Sequence, residues 1–156
     1  MQQTTRDALD HSPIDLSTCR EPIRLAVIDQ QGSPRIVSLW FQYCDGHFYC
    51  ATHESAWLVT QLRRDPRVGF EVSVNSPPYK GVRGSGIVEL ERLGDGLLLE
   101  ELIQHYLGKT GSRLSDWLLS RQHQELIIKV TPTRVSCWDY SPRMAGSIDG
   151  SMAAHG

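Results

Sequence analysis

The chain has 156 residues, the size of one typical domain, and its 40% hydrophobic and 22% charged composition is that of a globular protein. Its 16 lysines and arginines against 18 acidic residues give a net charge of -2, which disfavours nucleic acid and anionic membrane surfaces as partners. No apolar run approaches the ~20 residues of a membrane span, and the polar N-terminus lacks the apolar centre of a secretory signal. We therefore expect a cytoplasmic protein whose four scattered cysteines are reduced.

The first half of the chain, and its end, have the β-branched and aromatic composition of strands. An Asp45-Gly46 pair between two such runs predicts a hairpin, because both turn positions favour positive φ. The proline-rich stretch 75–78 predicts a loop between two later strands. Six strands are predicted, at residues 23–29, 35–43, 47–52, 67–74, 81–91 and 125–140.

Helical patterns interrupt this order twice. A short helix is predicted at residues 55–64, because Asp65-Pro66 forbids its continuation. A longer helix is predicted at residues 95–107 with Gly108 as its C-cap, and a short one around Trp117. The longer helix has one apolar stripe at helical spacing, formed by Leu99, Leu102, Ile103, Tyr106 and Leu107.

Consecutive antiparallel hairpins without strand–helix–strand alternation favour a mainly β fold, a small closed or split barrel with helices outside. We expect residues 19–144 to form this domain. Residues 1–18 are predicted to be a flexible N-terminal segment and residues 145–156 a disordered tail, since both are poor in large apolar residues.

The hairpin contains a spacing that resembles a metal site, with Cys44, His47, Cys50 and His53 three residues apart. Because side chains alternate along a strand, Cys50 is predicted to lie on the face opposite to the other three. Four ligands cannot then converge tetrahedrally, and no metal site is predicted.

The same alternation gives the hairpin one apolar face, predicted to be core, and one mixed aromatic face. The mixed face contains Ser38, Trp40, Gln42, Tyr49 and His53. It is equally consistent with a ligand or partner surface and with a surface covered by the protein's own helices.

No motif in the sequence defines a catalytic triad or an acid–base pair. Gly81, Gly84 and Gly86 lie inside a predicted strand and lack the Rossmann spacing, so they indicate a bulge or the close approach of another backbone. If the protein is an enzyme, its chemistry is expected to come from a cofactor.

Five segments in order resemble the pyridoxamine 5′-phosphate oxidase-like proteins, the flavin-binding split-barrel superfamily, over residues 23–144. They are PRIVSLWF, FYCAT, LRRDPRVGFEV, PPYKGVRGSGIVEL and KVTPTRVSCWDYSPRM. The resemblance implies a six-stranded antiparallel Greek-key split barrel with flanking short helices. It also implies a homodimer with FMN, or a deazaflavin, bound between the subunits.

The resemblance also assigns candidate cofactor-binding residues. Lys80 matches a position that contacts flavin from the other subunit, and Trp138 matches a tryptophan near the cofactor. The remaining candidates are Arg35, Ile36, Val37 and Ser38 along the flavin, and Ala51, Thr52, Ser55 and Trp57 near the ribityl chain and phosphate.

Two features depart from the family. The phosphate-binding Ser-x-Lys falls on Ala56 and Leu58, or one residue earlier on Ser55 and Trp57, so neither register supplies the lysine. The arginine- and histidine-containing substrate motif of the true oxidase does not occur in this sequence, so vitamin B6 oxidation is not predicted.

The sequence thus predicts an FMN-dependent oxidoreductase that acts on an unidentified small molecule, with no protein residue assigned a catalytic role. Two alternatives stay open. One is a non-catalytic dimer that binds flavin, heme or another flat ligand, and the other is a dimer whose cofactor site has decayed.

Overall fold

The computed structural model describes residues 2–108 and 111–145, which form a curled antiparallel sheet with helices against its surfaces. The strands are β1 (Ile23–Ile28), β2 (Pro34–Leu39), β3 (Gln42–Cys44), β4 (His47–His53), β5 (Arg67–Ser73), β6 (Lys80–Arg92) and β7 (Glu125–Asp139). The helices are α1 (Gln3–Asp10), α2 (Trp57–Arg64), α3 (Leu97–Leu107) and α4 (Arg113–Ser120), with a 3₁₀ turn at Gln122–Gln124.

The sheet curls because its two terminal strands are neighbours in the chain. The strand order is β2-β1-β5-β6-β7-β4-β3, so the chain passes from one edge of the sheet to the other through Trp40 and Phe41 alone. Three Cα steps of ~3.8 Å bring the ends of these strands within ~11 Å of each other. Since β2 and β3 do not pair within the described residues, the sheet is a barrel with a split at this point.

The described residues contain seven strands, and the prediction of six is wrong because the run expected at 35–43 breaks into β2 and β3. At the break, the backbone N–H of Phe41 donates to the hydroxyl of Tyr106 on α3, at 3.2 Å. The ring of Trp40 stacks on the same tyrosine, with centroids 5.2 Å apart. The predicted class is confirmed: a mainly β, antiparallel fold with flanking helices.

A β-bulge bends the two longest strands. The register of β6 with β7 shifts between Ser85 and Gly86, which lie opposite Arg134 and Pro132, so Thr133 is the extra residue. Proline has no N–H to donate to a ladder and is tolerated at a bulge. The bulge predicted from the glycines is therefore present, and the backbone that approaches them belongs to this chain: a Cβ on Gly86 would lie 2.9 Å from the Thr131 carbonyl oxygen.

The hairpin turn and the helix ends follow the sequence closely. Asp45 and Gly46 have φ of 52° and 83°, as the Asp-Gly prediction requires. Gly108 ends α3 at a φ of 74°, and α2 ends at Arg64 before Asp65-Pro66.

The main core lies inside the barrel, and the N-terminal segment contributes to it. Leu9, Ile14 and Leu16 belong to the same buried cluster as the inward residues of β1, β4, β5 and β7. α1 lies against β7, and Tyr43 donates to Asp10 at 2.7 Å, while the flexibility of residues 1–18 stays a prediction. Apart from Ala145, the predicted tail at 145–156 lies outside the described residues.

We expect Tyr106→Phe to lower the free energy of unfolding by about 1–3 kcal/mol, because the N–H of Phe41 loses its partner while the ring stack is kept. Urea denaturation measures this difference. Tyr79→Phe, which changes an exposed tyrosine on the β5–β6 loop, is the matched control and should change the stability by less than ~0.5 kcal/mol. Equal effects of the two variants would show that the Tyr106 hydroxyl does not hold the β2–β3 crossing.

Candidate functional site

One group of predicted site residues meets where β2 approaches the start of α2. The guanidinium carbon of Arg35 lies 5.2 Å from the centre of the Trp57 ring, and Arg35 also lies 3.6 Å from the Asp29 carboxylate. Asp29 is buried, and its carboxylate accepts the backbone N–H groups of Gln31 and Ser33 in the β1–β2 turn, which offset the cost of burying the charge. Arg35 itself is more than half exposed, so a cation is held in place at this surface while it stays open to solvent.

The four predicted residues of β2 do not face one direction. In the ladder with β1, Arg35 and Val37 lie opposite the buried Val27 and Leu25, so these two side chains are on the inner side of the strand. Ile36 and Ser38 lie on the outer side, and Ile36 is 72% exposed. A ligand on the outer face would contact the side chains of Ile36 and Ser38, whereas Arg35 would reach it from the end of the strand.

Ser55, in the turn before α2, is held by His53. The backbone N–H of Ser55 donates to His53 Nδ1 at 3.1 Å, and the Ser55 hydroxyl lies 2.7 Å from the same nitrogen. Nδ1 is therefore an acceptor, and the proton belongs on Nε2, which lies 3.0 Å from Oε1 of Gln124. This network orients the turn that enters α2.

Ala51 and Thr52 are both half-buried on β4. Ala51 packs against the second apolar cluster, which contains Leu99 and Ile103 of α3. The helices therefore cover the side chain that was predicted to approach the ribityl chain.

The two residues that stand where the family has its phosphate-binding lysine, Leu58 in one register and Trp57 in the other, differ in burial. Leu58 is 5% exposed and belongs to the main core, so its side chain does not reach a ligand. Trp57, in the other register, is 43% exposed. The Trp57 side chain is therefore accessible from solvent, and the guanidinium of Arg35 lies over its ring.

A second group lies at the opposite end of the barrel. Lys80 begins β6 opposite Asp139, and Trp138 lies opposite Gly81. Hydrogen bonds from Ser141 lower the pKa of Asp139, with a further contribution from the charge of Lys80. The Nε1 atom of Trp138 is buried and has no hydrogen-bond partner among the described residues.

The two groups are separated by the length of β5. Arg67, at the first end of β5, follows α2, and Ser73, at the other end, pairs with Gly81 beside Lys80. Seven residues of strand at ~3.3 Å each span ~20 Å. One protomer therefore brings Arg35 and Trp57 together, but not with Lys80 and Trp138.

The protein's own helices cover most of the mixed face of the hairpin. Trp40 stacks on Tyr106 of α3, Gln42 donates to Glu101 of α3 at 2.7 Å, and His53 contacts Gln124. Ser38 stays exposed. The face is therefore covered by the protein's own helices along β3 and β4. On β2 it stays open to solvent, where a ligand or partner could bind.

The residues of the apparent metal spacing are dispersed. Cys44 pairs with His47 across the turn, whereas Cys50 is fully buried in the core. Burial raises the pKa of the Cys50 thiol. Within residues 2–108 and 111–145, no three or more histidine, cysteine, aspartate or glutamate side chains are arranged to hold a metal ion.

The outer face of the sheet contains a cavity of about 600 Å³ that the sequence analysis did not identify. Its lining includes Arg24, Arg83 and Arg134, which stand on β1, β6 and β7. The alternation of buried and exposed positions along each strand was the available signal, because it places these three arginines on the outer face.

Solved structures with a similar fold include a protein described as an F420 reductase, with 20% sequence identity and a TM-score of 0.67 over 78% of this chain and 93% of that chain. A conserved hypothetical protein from Mycobacterium tuberculosis has 20% identity and a TM-score of 0.69 over 90% of this chain and 86% of that chain. A putative pyridoxamine 5′-phosphate oxidase from Listeria innocua has 14% identity and a TM-score of 0.56 over 75% and 87%.

These similarities define the class of protein: an antiparallel split barrel with helices packed outside it. The chain has the fold of the pyridoxamine 5′-phosphate oxidase-like proteins, and the resemblance seen in the sequence is confirmed at the level of the fold. No family model and no curated protein matches the sequence. None of the helices in the described part of the chain is long and apolar enough to cross a membrane.

We expect Trp57→Ala to lower the free energy of unfolding by less than Leu58→Ala does, because Trp57 is 43% exposed whereas Leu58 is buried. Leu58→Ala, its buried neighbour, should lower it by about 2–5 kcal/mol. Urea denaturation of the two variants gives both values. A loss for Trp57→Ala as large as that for Leu58→Ala would identify Trp57 as a core residue and remove it from the site.

Proposed function

We propose that this chain is a homodimeric, flavin-dependent oxidoreductase that binds FMN, or a deazaflavin, between two subunits. The observation that carries the proposal is the division of the candidate site into two groups at opposite ends of β5. A second copy would bring its Lys80 and Trp138 to the Arg35 and Trp57 of the first.

The residues at both groups fit such a cofactor. Arg35 is a cation that its neighbours orient without burying it, which suits a phosphate. The Trp138 indole N–H is a buried donor without an acceptor among the described residues, which suits a carbonyl or ring nitrogen of a flat ligand. Ser38 adds a hydroxyl on the outer side of β2.

A bound flavin supplies hydride-transfer chemistry, and the protein's part would be to bind, orient and exclude water. Trp57 would pack beside the phosphate and hold the Arg35 guanidinium in place. His53 would keep the Ser55 turn in one conformation. No side chain is assigned a proton-transfer step.

The surface proposed for the second copy is the outer face of β2, β1, β5 and β6. Ile28, Ile36 and Ile87 lie there with exposures of 44%, 72% and 40%. Burial of this apolar area at ~25 cal/mol per Å² favours association when the interface reaches ~800 Å² per partner.

One observation favours the second candidate, a non-catalytic dimer that binds a flat ligand. The lysine position carries a half-exposed tryptophan, and an aromatic ring can stack on a ligand that has no phosphate. Purified protein whose bound flavin is not reduced by NADH, NADPH or dithionite-reduced deazaflavin would favour this candidate.

We expect the apoprotein to bind FMN only weakly, with little preference over riboflavin, because a missing charged partner weakens phosphate binding about tenfold or more. Flavin fluorescence titration measures both affinities. Arg35→Gln should remove the remaining preference for FMN, whereas Arg63→Gln, an exposed arginine on α2, should leave it unchanged. Nanomolar binding of FMN with a large preference over riboflavin would contradict the expected weakness and show that other residues form a complete phosphate site.

Sedimentation velocity at micromolar concentration should give a dimer. Ile36→Asp should convert it to a folded monomer, since the charge would lie in the proposed interface on a side chain that is exposed in the single chain. Leu114→Asp, a similar change on the exposed surface of α4, should leave the dimer intact. A stable wild-type monomer would overturn the proposal of a shared cofactor site.

A further inference from the structure

The cavity on the outer face of the sheet is bordered by charge in a fixed arrangement. Arg24, Glu71, Arg83 and Ser136 lie side by side on β1, β5, β6 and β7, as their pairing registers show. Neighbouring strands are ~4.8 Å apart, so the two arginines of this row stand ~10 Å from each other. Arg134 lies opposite Ser85, which is two residues beyond Arg83 on the same face of β6.

The three arginines have no acidic partner. Arg24, Arg83 and Arg134 form no ion pair and no side-chain hydrogen bond with the described residues. Arg83 lies over the Trp138 ring at 5.9 Å, which orients its guanidinium without neutralising it. The carboxylate of Glu71 accepts a hydrogen bond from Ser73 at 3.2 Å. The cavity therefore has an excess of positive charge in a chain whose net charge is -2.

The floor between the arginines is formed by small side chains. The next row of the sheet runs through Ala26, Gly69 and Ser85, three small residues in register. A Cβ on Gly69 would lie 3.5 Å from the Cβ of Ala26, which is ordinary van der Waals contact. The small side chains of this row therefore leave room for a ligand above them. Ile36 borders it on β2. The volume of about 600 Å³ falls among those of small-molecule sites, ~300–1,000 Å³.

We propose that this cavity binds a small molecule in which a carboxylate, phosphate or sulfonate group is attached to a flat apolar body. The guanidinium groups of Arg24, Arg83 and Arg134 would bind the anion, since their planar donors match its oxygens. The Ala26–Gly69–Ser85 floor would contact the apolar body.

A second copy of the chain on this face would strengthen the requirement for an anion. Each copy brings three arginines and one glutamate to the cavity, so two copies bring six cations and two carboxylates. Burying cations without counter-charges is costly, and the protein alone does not supply enough of them. The anion would come from a separate acidic molecule, because the proposed function places the cofactor phosphate at Arg35, which does not line this cavity.

The test uses the full-length protein and two fluorescent probes that share one aromatic skeleton. The first, 8-anilinonaphthalene-1-sulfonate, is anionic, and the second, N-phenyl-1-naphthylamine, is neutral. We expect Arg24→Gln, Arg83→Gln and Arg134→Gln each to weaken binding of the anionic probe about threefold to tenfold. Binding of the neutral probe should not change.

Arg20→Gln is the matched control, because Arg20 is exposed and lies outside the cavity. For the wild-type protein, raising the sodium chloride concentration should weaken binding of the anionic probe but not of the neutral probe. This measurement tests the proposal even if a variant does not fold. Saturating FMN tests whether this cavity is separate from the proposed cofactor site. We expect the anionic probe and FMN to bind together, whereas displacement of the probe by FMN but not by riboflavin would place the cofactor phosphate at these arginines and overturn a separate anion site.

The proposal is overturned if the three variants bind the anionic probe as tightly as the wild type, or if salt leaves its binding unchanged. It is also overturned if the arginine variants weaken the binding of both probes equally, since the arginines would then not distinguish a charged ligand from a neutral one. Failure of the protein to bind FMN would not produce these results, because the probe titration in the absence of flavin is independent of the proposed oxidoreductase function.

Discussion

The barrel depends on the two residues that carry the chain from β2 to β3. Trp40 and Phe41 cross from one edge of the sheet to the other, and β2 and β3 form no ladder with each other in the described part of the chain. Tyr106 of α3 provides what the ladder would have provided, a hydrogen bond to Phe41 and a stacked ring for Trp40. The helix is thus part of the closure of the barrel, because it stabilises a point at which the sheet, in the described part of the chain, does not hydrogen-bond to itself.

Features set by neighbouring residues could be predicted from the sequence. The Asp45-Gly46 turn, the apolar stripe of α3 and the inward positions of the strands depend on residues one to four apart. The break at Trp40 could not be predicted, because the β-branched and aromatic run continues through it and its partner Tyr106 is 65 residues away. The packing of α1 could not be predicted, because Leu9 is its one large apolar residue and the partners of Leu9 lie on distant strands.

The sequence indicated individual candidate residues for the site, but not which of them lie together. The resemblance to the flavin-binding family indicated Arg35 and Trp57 as two separate candidates. Only the fold shows that the Arg35 guanidinium lies over the Trp57 ring. Alternation along β2 already separates Arg35 from Ile36, whereas the cover over Ala51 depends on a helix about fifty residues later in the chain. The arginines of the outer face come from three strands that are distant in sequence, so their convergence is visible only in the ladder registers.

The segment between β6 and β7 has a consequence for how this fold can diverge. α3 and α4 lie outside the sheet and cover Trp40, Ala51 and Ile127, while the pairing of β6 with β7 is set by the strands themselves. Insertions and deletions in this segment would therefore leave the barrel register intact and change only how much of the outer face of β4 is covered. Related proteins could therefore differ in the length of the segment between β6 and β7, and so in the surface that a ligand meets, at little cost to the barrel. The condition is that Tyr106, which binds Phe41 and stacks on Trp40, is kept.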